Sequence, residues 1–134
     1  MRPVLTFALL ALLAVSPAEA KSAGLTVKAG ETWLFSLSRG EPVRARRAKP
    51  TASLEPGQIL VTVRSMMGTT MTITSNNKQA YTYKAALIGA TKVIPTRSCT
   101  LPANNRLSFE NWPQKAAAVR LSDFKVATKG GACP

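Results

Sequence analysis

The densest cluster of chemically competent side chains is Arg39-Gly40-Glu41-Pro42-Val43-Arg44-Ala45-Arg46-Arg47-Ala48-Lys49-Pro50, five basic residues against one acid. Arginine forks grip phosphates and carboxylates in bidentate fashion, so an extended ribbon presenting Arg39, Arg44, Arg46, Arg47 and Lys49 is equipped to hold an anion. On an uninterrupted strand Arg44 and Arg46 share a face. The same pattern also guards a sheet edge, where charges and flanking prolines block strand-to-strand aggregation. Edge protection is the stronger of the two readings. The cluster is nevertheless denser than that task requires, which keeps the anion site in play.

The remaining inventory is poor in catalytic groups. Histidine is absent, and with it the commonest general base and metal ligand. The acids beyond residue 20 are Glu31, Glu41, Glu55, Glu110 and Asp123, and none stands in a nucleophile motif, a phosphate loop or a metal-ligand cluster. An envelope hydrolase would need two of these carboxylates to face each other across a cleft. Met66-Met67 and Met71 offer thioethers of the kind Cu(I) accepts, but methionine more commonly fills gaps in a core, and no cofactor is expected. Trp33, Trp112, Phe35, Phe109, Tyr81 and Tyr83 read as core. Trp112, beside Pro113 at a strand end, is the best placed of them for a carbohydrate platform.

The chain ends say where such groups operate. Residues 1–20 combine Arg2, an apolar run from Val4 to Val15 and a small-x-small site at Ala18-Glu19-Ala20, the anatomy of a cleavable signal peptide cut before Lys21. The run is too short for a transmembrane span, which takes about 20 apolar residues. Removal of residues 1–20 takes out one charge of each sign, Arg2 and Glu19, and leaves the net charge at +12. Residues 21–134 then form a single basic domain, exported to the periplasm or beyond. Cys99 and Cys133 read as one disulfide in that compartment, pinning a glycine-rich tail and contributing about 3–5 kcal/mol on the chain-entropy account.

A period of two dominates the exported part. The runs Thr32–Leu37, Gln58–Arg64, Thr70–Thr74, Ala80–Leu87, Arg106–Phe109 and Val119–Val126 all alternate, with Pro56-Gly57, Gly68, Asn76-Asn77, Gly89, Asn104-Asn105 and Pro113 between them. Residues 114–118 allow one helical turn. This cadence predicts an all-β domain, a small antiparallel sandwich of seven or eight strands, with a small barrel as the alternative. Residues 72–86, a strand, an Asn-Asn turn and a Tyr-x-Tyr strand, resemble a hairpin of immunoglobulin-like exported domains.

The sequence therefore leads us to expect a non-catalytic exported protein that engages an anionic envelope polymer or lipid headgroups through the ribbon. A protein-interaction module, such as an inhibitor or accessory subunit using a sheet edge, is the second expectation. Nucleic acid is not an expected partner, because the aromatic residues do not interleave with the ribbon as a stacking platform requires.

Overall fold

The computed structural model describes residues 24–96 and 100–128, and every regular element within them is a β-strand. Residues 1–20, read from the sequence as a signal peptide, and both cysteines, Cys99 and Cys133, lie outside the described residues. One sheet has four strands in the order β1 (Leu25–Lys28), β9 (Ala118–Val126), β6 (Tyr81–Ile88) and β7 (Val93–Pro95). The other has five, in the order β3 (Glu41–Arg47), β2 (Thr32–Ser38), β4 (Ile59–Ser65), β5 (Thr69–Ser75) and β8 (Leu107–Trp112). All pairings are antiparallel. The two open sheets enclose the core as a β-sandwich, and the barrel alternative falls because neither closes on itself.

Nine strands replace the expected seven or eight. The short strands β1 and β7, of four and three residues, were not among the alternating runs read from the sequence. Two further expectations are corrected. Residues 72–86 are not a hairpin: β5 pairs with β4 and β8, whereas β6 pairs with β7 and β9, so the Asn76-Asn77 segment carries the chain from one sheet to the other. Residues 114–118 form no helical turn; the chain runs irregularly from Pro113 until β9 begins at Ala118.

Alternation builds the core from the inward positions. Val61 faces Ile73 and Val63 faces Met71 across β4 and β5, all fully buried. Phe124 of β9 joins the two layers, its ring 5.8 Å from that of Phe35 on β2 and stacked at 5.4 Å on Tyr83 of β6. Burial, and secondarily the Glu110 carboxylate, push the Tyr83 phenol well above its ordinary range. In the unfolded chain that phenol ionises near pH ~10, so above this pH the unfolded state holds fewer protons than the folded one and stability falls as pH rises. Urea unfolding between pH 9 and 11 is expected to show wild type losing stability faster than Tyr83→Phe, by up to about 1.4 kcal/mol per pH unit. Parallel pH profiles for the two proteins would refute this.

The β4–β5 connection is a three-residue loop, Met66-Met67-Gly68, closed by the Ser65–Thr69 pair. Met67 and Gly68 both have positive φ, 50° and 115°. A Cβ at Gly68 would run into the backbone carbonyl oxygens of Trp112 and Pro113. Gly68→Ala is therefore expected to destabilise the domain by more than about 1 kcal/mol, read as a lower urea midpoint.

Candidate functional site

The ribbon is strand β3, at one edge of the five-stranded sheet, and Arg39, Arg44, Arg46, Arg47 and Lys49 are all exposed. It is joined to β2 by a two-residue turn, Arg39-Gly40, with φ of 52° and 79° and closed by the Ser38–Glu41 pair. Positive φ at both central residues gives the turn type whose twist matches a hairpin. Gly40 is required there a second time: its carbonyl accepts the Phe124 N–H at 2.9 Å, and a Cβ on it would strike the Phe124 carbonyl oxygen. One end of the ribbon is thus tied to the strand that carries the central aromatic stack.

The middle of the ribbon corrects the expected alternation. Val43 faces Ser36 and Arg46 faces Leu34, so three steps along β3 match two along β2. The extra residue makes a bulge, and Arg44 sits in it with φ 52°. Across such a slip Arg44 and Arg46 do not follow the simple two-residue repeat, and the ribbon fans its cations instead of stacking them on one face. Arg46, Arg47 and Lys49 line a shallow open depression of about 600 Å³ together with Ala48, Thr51 and Ala52. Arg39 and Arg44 lie outside that depression, toward the turn.

Electrostatically the ribbon is mostly uncompensated. Arg47 Nη1 donates to Glu31 Oε2 at 2.8 Å. Glu31 is held further by the Trp33 indole N–H at 3.0 Å and the Lys28 backbone N–H at 3.1 Å. These hydrogen bonds, the Trp33 one foremost, with the Arg47 charge behind them, keep the Glu31 carboxyl below its usual range. Among the described residues Arg39, Arg44, Arg46 and Lys49 have no ion-pair partner. Glu41, the acid within the ribbon, has one carboxylate oxygen buried without a hydrogen-bond partner and makes no ion pair among the described residues. No protein-family model, curated protein or solved structure matches this chain.

The other sequence candidates are dispersed. Met71 is fully buried between the sheets while Met67 is 99% exposed in the loop, so the sheet itself separates the three thioethers suggested for copper. Among the described residues no three His, Cys, Asp or Glu side chains gather in a metal-ligand cluster. Asp123 pairs with Lys84 Nζ at 3.2 Å on the four-stranded sheet, and Glu31 is engaged with Arg47, which places these two carboxylates in unrelated structural roles. Trp112 is buried and offers no platform. Phe109 is the aromatic wrongly read as core: it is 60% exposed, on the outward face of β8.

Phe109 leads to a feature that sequence reasoning missed, a groove of about 310 Å³ on the outer face of the five-stranded sheet. Its floor is Leu60, Thr62, Thr72 and Thr74 from the central strands β4 and β5. Leu107 and Phe109 project from β8 beside it, and Pro50, Met66 and Arg64 complete the margin. The threonine alternation in β5 was the available signal, legible only as an outward polar face.

Proposed function

We propose that this chain is an exported, non-catalytic binding protein that holds an anionic envelope component, a polymer or lipid headgroups, on the basic ribbon at residues 39–49. The observation that supports it is the set of four exposed cations, Arg39, Arg44, Arg46 and Lys49, with no acid partner among the described residues, on one sheet edge of a chain with net charge +12. Charge held uncompensated at an edge raises the local concentration of anions and recruits them through a field that salt screens. Lipid headgroups and wall polymers share the phosphate or carboxylate chemistry that guanidinium forks recognise. No helix among the described residues is long and apolar enough to cross a membrane. Export rests on the signal-like segment at residues 1–20.

Salt tests the reading. Sedimentation with phosphatidylglycerol vesicles is expected to be strong at about 50 mM salt and nearly lost at about 500 mM, where the screening length falls to a few ångströms. Phosphatidylcholine vesicles should not bind at either concentration. Binding that persists at high salt would end the charge-led account.

A second reading has its own observation. Strand β8 is the other edge of the five-stranded sheet, and unlike β3 it contains no proline, no arginine and no register slip, while Leu107 and Phe109 stand exposed on it. An unguarded edge of this kind suits strand addition by a protein partner. Capture of such a partner should be insensitive to salt and blocked by Ser108→Pro.

A further inference from the structure

We propose that the groove on the outer face of the five-stranded sheet binds a single-chain anionic amphiphile, with its alkyl chain on Leu60, Leu107 and Phe109 and its headgroup on Arg64. The site is separate from the ribbon, and its standing does not depend on the ribbon's function. Among the described residues, three of the six exposed large hydrophobic side chains, Met66, Leu107 and Phe109 at 60–65% exposure, line this one groove. Apolar surface gathered in this way marks a binding site in a domain otherwise rich in charge.

The groove carries its arginine at one end, near Met66 of the adjoining loop, and its leucines at the other. Register places three rows side by side: Arg64 with Thr70 and Asn111, Thr62 with Thr72 and Phe109, and Leu60 with Thr74 and Leu107. From the first row to the third is four residues of strand, about 14 Å, so a ligand lying along the strands meets a guanidinium, then threonines, then leucines. The Thr62 hydroxyl is turned to the Thr32 hydroxyl at 2.8 Å, committing its polar atom within the protein. The Thr72 and Thr74 hydroxyls have no hydrogen-bond partner among the described residues and remain available, one in the middle row and one beside the leucines.

Size and charge select the occupant. At about 310 Å³ the groove stands at the bottom of the range of small-molecule sites, about 300–1,000 Å³, which suits one extended chain and is too small for a two-chain lipid taken up whole. Arg64 is the one charged residue in its lining, and no carboxylate lines it. A second copy of the chain would carry the same net charge of +12 and repel this one, whereas an anionic headgroup is drawn to Arg64.

The test titrates the exported protein with dodecyl phosphate below its micelle concentration, by calorimetry, with dodecyl maltoside and inorganic phosphate as comparison ligands. Saturable binding of dodecyl phosphate is expected, with inorganic phosphate undetectable and the maltoside weaker. The pair L107S and F109S should reduce affinity by at least about tenfold, since it removes apolar contact while altering only exposed side chains. R64Q should cost about tenfold for dodecyl phosphate and leave the maltoside unchanged. The pair V93S and V126S, exposed apolar residues outside the groove, should change nothing. Equal loss in both serine pairs, no effect of R64Q, or no binding by correctly folded wild type each overturns the proposal. So does sedimentation showing that Leu107 and Phe109 hold two copies of the chain together, or binding to anionic vesicles through these residues without any to the monomeric amphiphile. Loss of vesicle binding by ribbon variants alone leaves these readouts untouched, so failure of the two sites is distinguishable.

Discussion

Changing Arg44, Arg46 and Arg47 together to glutamine is expected to lower binding to anionic vesicles by about a hundredfold while the domain stays folded, since basic residues near such a surface contribute about 1 kcal/mol each. All three side chains are exposed, so their replacement opens no cavity. The one interaction lost from the fold is Arg47 with Glu31, where the arginine side chain is 58% exposed; such pairs contribute about 0–1 kcal/mol. Glu31 keeps the Trp33 indole and Lys28 backbone donors, so it is not left stranded. The control removes the same charge elsewhere: Lys78, Lys84 and Lys125, also exposed and scattered over the other sheet and its approach, changed together to glutamine. Vesicle sedimentation and circular dichroism on both triple variants decide the matter. Equal losses would mean that only net charge counts, and an unfolded arginine variant would make the ribbon structural.

Phe124→Ala is expected to be the most damaging single core change, costing about 3–5 kcal/mol in urea unfolding, out of the roughly 5–15 kcal/mol that holds a domain of this kind together. Phe124 is the ring common to the two aromatic contacts, Phe35 from the five-stranded sheet and Tyr83 from its own, and its backbone N–H also anchors the Arg39-Gly40 turn. Truncation leaves a void bounded by both sheets, which a sandwich cannot close by moving one side chain. Phe109→Ala is the matched comparison, the same chemical change at an exposed position, expected within about 0.5 kcal/mol of wild type. Similar costs at the two positions would show that the stack does not join the layers.

Period-two alternation was enough to declare an antiparallel all-β domain and to locate six of its strands, because burying one face of a strand leaves a direct mark on residue type. Gln58–Arg64 and Thr70–Thr74 were visible in this way, and they are the centre of the five-stranded sheet. Strands β1 and β7 were not read, and β3 showed itself as a guarded sheet edge through its charges and proline and not through alternation. The five basic residues were chosen from composition alone. That four of them lack an acid partner among the described residues, that Arg47 is committed to Glu31, and that a bulge falls at Arg44 depended on what the fold laid beside the ribbon.

The groove shows the limit most clearly. Leu107 and Phe109 alternate as core residues do, and nothing in the chain distinguishes an apolar row covered by the second sheet from one left facing solvent. Likewise the Asn76-Asn77 turn is compatible with a hairpin or with a crossing between layers, because local turn chemistry does not specify which sheet the next strand joins. The sequence by itself determined which residues alternate and where the positive charge is concentrated. The tertiary structure decided which apolar row became core and which became surface, because that depends on the partner layer packed against each face, and the partner comes from residues distant in the chain.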